Sequence, residues 1–444
     1  MMRAKRKSST VLAVVLAASL LLGCGASEET GTDKTANISA SSDITESSAT
    51  TESTATTESP AVTESSTVTE SSITSESVDT ADLEAAPGSA TDEGSDNDVS
   101  EYIAAMPLED KVAQLFYVTP EAITGVSAVT MAGDATKQAL NDNPVGGILY
   151  FGANIVDRDQ LMTMISNTKS YSRYPIFIGT DEEGGTVKRI AGSAIEAEDS
   201  LVKDVGTMKD VGATGDASKA YDAGQTIGCY MNELGFNMDF APVAGVLIDP
   251  ANTTIGTRSF GSDPELNASM VGQFVEGLHS ENVLSCEKHF PGLGDTNVDT
   301  HTGEATTQRS LDDMRTTDFI SFGGGIDAGT DFVMVGHVSC PNVTGNNTPA
   351  SLSEKMITGV LRGELGYDGI VITDSLQMGA VTQYYTSGEA AIRTIQAGAD
   401  MLLMPEDYHE AYEAVLNAVN DGTIPEERID ESLKRIYKVK LKLK

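Results

Sequence analysis

The sequence predicts an α/β protein whose folded part, residues 101–444, is a single (β/α)8 barrel of the TIM type. Short apolar runs of five to seven residues recur along this part, separated by amphipathic stretches of helical periodicity. Such alternation is typical of a parallel sheet with helical crossovers. Eight of these units in about 345 residues suit a (β/α)8 barrel with insertions. A doubly wound open sheet fits the same pattern, and periodicity alone leaves that alternative open.

The predicted strands are the eight apolar runs, each followed by a polar loop. They are Ala113–Val118, Gly146–Phe151, Pro175–Thr180, Phe236–Pro242, Val283–His289, Asp331–His337, Gly369–Asp374 and Asp400–Met404. The predicted helices include Asp157–Tyr171, Ala217–Leu234, Asn267–Ser280, Leu311–Ala328, Ser353–Glu364, Ser387–Ala397 and a closing helix, Pro425–Lys444. The closing helix is basic at its C-terminal end, which suits the helix dipole.

Residues 1–23 are predicted to be a signal peptide. Four basic residues precede an apolar run, Val11–Leu22, that is too short to span a bilayer comfortably. The run ends in Leu21-Leu22-Gly23-Cys24, which resembles the bacterial lipoprotein signal, in which the cysteine becomes the acylated N-terminus. We therefore expect lipidation at Cys24, export, and anchoring to the outer face of a bacterial membrane. The alternative is an ordinary signal peptide with an incidental cysteine.

Residues 24–100 are expected to form a disordered tether. A glutamate recurs every six residues within Ser- and Thr-rich sequence, at Glu46, Glu52, Glu58, Glu64, Glu70 and Glu76. Residues 26–100 hold 17 acids against one lysine and no aromatic side chain, a composition that favours disorder. A six-residue period also occurs in parallel β-helices, but the regular inward-facing apolar positions of such a fold are missing here.

The charge of the chain excludes some classes of partner, and its cysteine content argues against a disulfide framework. A formal net charge of -37 repels phosphate backbones, so we expect no nucleic-acid binding, and membrane contact only through lipidated Cys24. Cys229, Cys286 and Cys340 are an odd and sparse set, which does not suit a disulfide framework. We expect these three to be small buried residues.

Polar side chains stand at the ends of the predicted strands, where barrels of this kind keep their active sites. They are Asp181, Asp239, Lys288, His289, His337, Asp374 and Glu406. Two further histidines, His279 and His409, lie on helical stretches and are expected at the surface. The remaining histidine, His301, lies in the loop after the fifth predicted strand.

That loop carries an Asp–His pair. Gly292 and Gly294 begin the loop and are expected to let it close over a bound substrate. Asp299 lies two residues before His301, an arrangement in which the carboxylate can orient the imidazole for general acid/base chemistry. The alternative is a polar loop with a chance Asp and His.

A metal site is a third interpretation of this rim. Asp299, His301, His289 and His337 are of the residue types that bind metals. Lys288 next to them argues against a bound cation, so we predict no metal.

The seventh apolar run delivers Asp374 to the same rim. One carboxylate together with one acid/base group is what double-displacement hydrolysis of a glycoside requires. Alternatively, Asp374 or Ser375 caps the following helix. The local pattern favours neither.

Several motifs, in order along residues 101–444, resemble glycoside hydrolase family 3 in its β-N-acetylglucosaminidase branch. They are Gly146-Gly147-Ile148, Asp181-Glu182-Glu183-Gly184-Gly185, Phe240-Ala241-Pro242-Val243, Arg258-Ser259-Phe260-Gly261, Lys288-His289-Phe290-Pro291-Gly292, Asp299-Thr300-His301, Thr373-Asp374-Ser375 and Ala399-Asp400-Met401-Leu402.

The resemblance implies a role for each matching residue. Asp374 corresponds to the nucleophile, and His301 to the acid/base with Asp299 as its partner. The expected sugar-binding residues are Asp181, Arg258, Lys288 and His289. The resemblance also implies removal of terminal β-linked N-acetylglucosamine with retention, from cell-wall or chitin-type fragments, by a monomer without a cofactor.

Four positions depart from the family pattern. Leu293 stands where the family often has His, Thr300 replaces a common Ser, Gly245 a common Asp, and Thr186 a common Arg. These departures concern outer contacts and the preferred leaving group. Three alternatives follow: another terminal sugar, phosphate as the acceptor, or a catalytically silent sugar-binding lipoprotein.

Overall fold

The structure, a computed structural model, describes residues 93–296 and 303–443. It confirms the predicted (β/α)8 barrel. The eight barrel strands are β1 Phe116–Val118, β2 Gly147–Leu149, β3 Phe177–Thr180, β4 Met238–Asp239, β5 Leu284–Phe290, β6 Phe332–Val335, β7 Ile370–Thr373 and β8 Leu402–Leu403.

All eight strands are parallel and follow the order β8-β1-β2-β3-β4-β5-β6-β7. A parallel bridge between Ile372 and Met401 links β7 to the start of β8, so the sheet curls into a nearly closed barrel. Seven strands lie inside the predicted runs, and β5 extends one residue beyond its run, to Phe290. Those seven strands are shorter than predicted because the ends of their runs belong to turns or helices, as Ala113 does.

Two helices precede β1, two follow β8, and the others lie between consecutive strands along the chain. They are α1 Glu93–Ala104, α2 Leu108–Ala113, α3 Pro120–Thr124, α4 Asp134–Asp142, α5 Arg158–Tyr171, α6 Ala194–Glu198, α7 Met208–Ala213, α8 Ser218–Leu234, α9 Pro264–Ser280, α10 Leu311–Arg315, α11 Asp318–Asp327, α12 Pro341–Thr344, α13 Gly379–Thr382, α14 Ser387–Ala397, α15 Tyr408–Asn420 and α16 Glu426–Lys440, with a π-helix at Lys355–Arg362.

Helix boundaries follow local signals. Helix α14 has its predicted bounds, because Thr386 and Glu389 form a capping box at its start and Gly398 ends it in a left-handed conformation. The predicted helix Leu311–Ala328 is instead two helices, α10 and α11, separated by two threonines.

Ordered structure begins before residue 101. Helix α1 starts at Glu93, inside the predicted tether, and its residues Val99 and Ile103 are buried. Tyr102 packs on Tyr437 of α16 with ring centroids 5.0 Å apart. The predicted signal peptide, Cys24 and the tether up to residue 92 lie outside the described residues. No helix in the described part of the chain is long and apolar enough to cross a membrane.

Aromatic rings fill the barrel, which has no tryptophan to use. Tyr117 packs on Phe240, and Phe177 on Phe332, each with ring centroids 5.1 Å apart. Gly147 on β2 makes room for Tyr117, since a Cβ there would lie 2.5 Å from its ring. This packed interior forms the base on which the strand-end residues stand.

The three described cysteines are free thiols. Cys286 and Cys340 are buried, as predicted. Cys229 is partly exposed, so the prediction is wrong there, because the residue lies on the outward side of α8.

Candidate active site

A cavity of about 440 Å³ opens at the C-terminal ends of the barrel strands. Five predicted site residues line it: Asp181, Arg258, Lys288, His289 and Asp374. Asp181 and Asp374 directly follow β3 and β7, and Lys288 and His289 lie on β5. Arg258 comes from a 3-10 turn, Gly256–Arg258, in the loop between β4 and α9. The topology therefore brings distant parts of the sequence into one site.

Glu183 organises the cationic side of the cavity. Its carboxylate accepts two hydrogen bonds from Arg258, at 2.7 and 2.8 Å, and lies 2.7 Å from Nζ of Lys288. Burial would raise the pKa of Glu183, but Lys288 and Arg258 lower it well below its usual range. Lys288 also donates to Asp181 at 2.7 Å. The two cations are thereby held rigidly, with their charge compensated inside the cavity.

Arg189 is a cavity residue that the sequence did not single out. Its guanidinium lies 3.7 Å from Asp181 and 5.7 Å from the ring centroid of Phe151. Nε of Arg189 is buried and has no hydrogen-bond partner among the described residues.

Asp374 stands apart from the cations. Its Oδ1 accepts a 2.7 Å hydrogen bond from the N–H of Ser375, and its own N–H donates to the carbonyl of Val335. Burial raises the pKa of Asp374, but His289, His337 and the Ser375 N–H more than offset this, so the net direction is downward. Asp374 is therefore an ionised carboxylate at the cavity wall.

His289 faces this carboxylate as a neutral ring. Burial lowers the pKa of His289 to about 4, although the nearby Asp374 acts in the opposite direction. Nδ1 of His289 is buried and has no partner among the described residues.

The helix-cap interpretation of Asp374 and Ser375 is wrong. The next helix, α13, begins at Gly379 and has Met378 at its N-cap position. The carboxylate of Asp374 instead bonds the adjacent peptide and borders the cavity.

Three predicted strand-end residues do not line the cavity. Asp239 is fully buried and accepts from the Glu182 N–H at 2.9 Å, and burial raises its pKa well above the usual range. His337 is fully buried next to the loop after β7, and Glu406 is exposed. On the helices, His409 is exposed as predicted, whereas His279 is half-buried because its Nε2 lies 2.8 Å from Asp331.

Asp299 and His301 lie outside the described residues. The glycines before them are closely packed. Gly292 packs against the carboxylate of Asp318, and a Cβ on Gly294 would lie 1.7 Å from the carbonyl oxygen of Val246. Both positions therefore need glycine for close packing, and closure of the loop over a substrate stays a prediction.

Hydrogen bonds hold the described residues on both sides of residues 297–302. Asn252 donates to the carbonyls of Leu293 and Thr296, at 2.6 and 2.7 Å. Thr307 donates to Asp295 at 2.6 Å, which joins the outgoing and the returning chain. Among the described residues, no group of three or more His, Cys, Asp or Glu side chains is arranged to hold a metal ion.

The chain matches a known protein family over the whole barrel. Residues 107–439 match the family described as "Glycosyl hydrolase family 3 N terminal domain". Beta-hexosaminidase LpqI of Mycobacterium tuberculosis is 32% identical over 350 residues, which cover 76% of this chain and 84% of the relative. Beta-hexosaminidase A of Pseudoalteromonas piscicida is 30% identical over 348 residues, 71% of this chain but 56% of the relative.

A solved structure agrees with both relatives. The glycoside hydrolase family 3 beta-N-acetylglucosaminidase from Paenibacillus sp. str. FPU-7 superimposes with a TM-score of 0.70 at 36% sequence identity. The match covers 76% of this chain and 62% of that one. The chain therefore belongs to glycosyl hydrolase family 3.

Proposed function

We propose that this chain is a retaining exo-β-N-acetylglucosaminidase that removes one terminal sugar through a glycosyl-enzyme on Asp374. The observation that carries the proposal is the position of Asp374, a half-buried, ionised carboxylate that borders a sugar-sized cavity and has no Lys or Arg bonded to it among the described residues. A volume of about 440 Å³ lies at the lower end of the range for ligand pockets, roughly 300–1,000 Å³. Such a pocket suits one sugar residue.

The residues opposite Asp374 suit recognition of sugar hydroxyls. Asp181, Arg258, Lys288 and His289 offer charged and polar atoms along the cavity wall. Because Glu183 and Asp181 compensate the cations, the wall presents directed hydrogen-bond groups rather than a net positive charge. We assign these residues to binding of the terminal sugar.

In the first step Oδ2 of Asp374 attacks the anomeric carbon, and the bond from this carbon to the leaving oxygen breaks. That oxygen takes up a proton and departs as the aglycone alcohol. In the second step water loses a proton and attacks the same carbon, which releases Asp374. Two displacements at one carbon retain the β configuration.

We assign the proton transfer to His301, with Asp299 as its partner. Among the described cavity residues, Glu183 and Asp181 are bound to Lys288 at 2.7 Å, and His289 has a pKa of about 4. An effective acid/base has a pKa near the working pH, which His289 and the ion-paired Glu183 do not offer. This leaves the loop pair as the best candidate.

The substrate is proposed to be a terminal N-acetylglucosaminide of cell-wall or chitin-type fragments. The support is the activity for which the relatives are named, beta-hexosaminidase and beta-N-acetylglucosaminidase. We further propose that Cys24 carries a lipid anchor on the outer face of a bacterial membrane, and that residues 24–92 tether the catalytic barrel to it.

The decisive experiment compares release of a chromogenic phenol from its β-N-acetylglucosaminide and its β-glucoside, with and without phosphate. We expect clear preference for the first substrate and free N-acetylglucosamine as the product. Asp374→Asn is the matched control. Preference for the glucoside would show another terminal sugar, and a sugar phosphate product would show phosphate as the acceptor. No turnover of either substrate, with sugar binding retained, would show a silent binding protein.

A further inference from the structure

His337 is a buried histidine that the proposed chemistry does not use. It follows β6 and is fully buried. Its Nδ1 lies 2.7 Å from the hydroxyl oxygen of Ser351, and its Nε2 lies 2.8 Å from the carbonyl oxygen of Ser375. The ring therefore bridges a turn beyond β6 and the residue immediately after Asp374.

The hydrogen bond to Ser375 has a defined direction. A carbonyl oxygen can only accept, so Nε2 of His337 carries the proton. The hydroxyl of Ser351 can accept or donate. His337 can thus donate to Ser375 whether its ring is neutral or protonated.

Both backbone groups of Ser375 are engaged. Its carbonyl accepts from Nε2 of His337 at 2.8 Å and from the N–H of Met378 at 3.1 Å, and its N–H donates to Oδ1 of Asp374 at 2.7 Å. Since the conformation of Ser375 sets where its N–H points, a fixed carbonyl on one side fixes the direction of the bond to Asp374 on the other. The other carboxylate oxygen, Oδ2, lies on the side of His289, 3.9 Å from its Nε2.

We propose that His337 is a positioning residue for the nucleophile: it locks the Ser375 backbone, which holds Oδ1 of Asp374 and leaves Oδ2 directed at the anomeric carbon. This inference rests on the proposed role of Asp374. Ser351 completes the arrangement, because it is fully buried and its own N–H donates to Gly336 at 3.1 Å. The imidazole is therefore held from both ends.

The test is the rate at which a 5-fluoro N-acetylglucosaminyl fluoride, which keeps the 2-acetamido group, labels Asp374. His337→Phe keeps a ring of similar size but removes the donor, so the labelling rate constant and kcat/KM should fall on the order of 10- to 100-fold. Every molecule should still become labelled, and KM should change little. His337→Gln, which restores an N–H donor, should recover most of the rate.

The matched control is His279→Phe. His279 is a half-buried histidine on α9 bonded to Asp331 and does not line the cavity. This variant should label at the rate of the unaltered protein.

Two results would overturn the proposal. One is an unchanged labelling rate in His337→Phe. The other is that only a fraction of the His337→Phe molecules becomes labelled, but at the unaltered rate. That outcome would mean that His337 is needed for folding and not for positioning Asp374. If His337→Phe does not fold, Ser351→Ala removes the anchor of the ring and should slow labelling, and an unchanged rate there would be equally decisive. Activity retained by Asp374→Ala would instead refute the proposed nucleophile, whatever the His337 variants do.

Discussion

His289 and Asp374 face each other at the cavity wall, with Nε2 of His289 3.9 Å from Oδ2 of Asp374. This distance is too long for a hydrogen bond. Burial keeps the imidazole neutral above a pKa of about 4. Asp374 is therefore close to a polar ring without being neutralised by it, which suits a carboxylate that must attack a carbon atom.

The neutral state of His289 has a consequence for stability. Its pKa falls from about 6.5 in the unfolded chain to about 4 in the folded one, so the unfolded chain binds the proton more tightly between these values. Stability should therefore fall as pH drops from about 6.5 to about 4, by at most roughly 3 kcal/mol from this group.

The measurement is thermal unfolding across this pH range. His289→Gln, which cannot titrate, should lose less stability than the unaltered protein between pH 6.5 and pH 4. Parallel curves for the two proteins would show that the pKa of His289 is not lowered in the folded state.

Asp374→Ala is expected to lose on the order of 10³-fold or more in rate, as removal of a covalent catalyst does. A fluorosugar that traps the glycosyl-enzyme should label Asp374, identified by peptide mass. Labelling at Asp181 or Asp239 would refute the assignment.

Glu183→Gln should impair sugar binding. The substitution keeps the shape of the side chain but removes the charge that compensates Lys288 and Arg258. We expect kcat/KM to fall on the order of 10²-fold, chiefly through KM, because loss of one partner leaves buried charges unpaired.

The control for Glu183→Gln is Asp430→Asn, which breaks the ion pair with Lys111 instead. Neither Lys111 nor Asp430 lines the cavity, so this variant should keep its kcat/KM. Equal losses in both variants would show a general effect of removing ion pairs.

Two truncated chains, one that keeps helix α1 and one that lacks it, should differ in stability. A chain that begins at residue 93 should keep the kcat of the longer protein on a small substrate, since the cavity residues all follow it. A chain that begins at residue 105 loses the buried side chains of Val99 and Ile103. Each costs about 1.5–3 kcal/mol, so its Tm should fall markedly. A large loss of kcat in the first truncation would show that residues before 93 contribute to the site.

The fold and four of the cavity residues could be predicted from the sequence for a physical reason. Asp181, Lys288, His289 and Asp374 lie in or directly after apolar runs, and a barrel gathers such positions at one rim. Arg189 escaped because it lies nine residues beyond the end of β3, where no periodicity constrains the chain. Its position depends on Asp181 and Phe151, contacts that only the folded chain makes.

Two other expectations, the end of the tether and the role of Gly292 and Gly294, were drawn from amino-acid composition. The start of α1 continues the acidic character of the tether, and burial of Val99 and Ile103 depends on α16, more than 300 residues away in sequence. Gly292 and Gly294 suggested mobility because glycine is common in loops. The structure shows that they are needed for close contact with Asp318 and Val246, and sequence alone does not separate these two uses of glycine.

The need for His301 should depend on the leaving group. Departure of a sugar hydroxyl requires a proton, whereas departure of a dinitrophenolate barely does. His301→Ala should therefore slow hydrolysis of a disaccharide far more than that of a dinitrophenyl glycoside in the first step. Asp299→Asn should show the same pattern less severely, because the imidazole stays but loses its charged partner.

The control is Asn252→Ala, which removes the hydrogen bonds to the carbonyls of Leu293 and Thr296 and leaves Asp299 and His301 unaltered. Equal losses on both substrates in His301→Ala would make His301 a binding or structural residue. The proton donor would then have to be sought elsewhere, since Glu183 is ion-paired and the pKa of His289 is too low for the task.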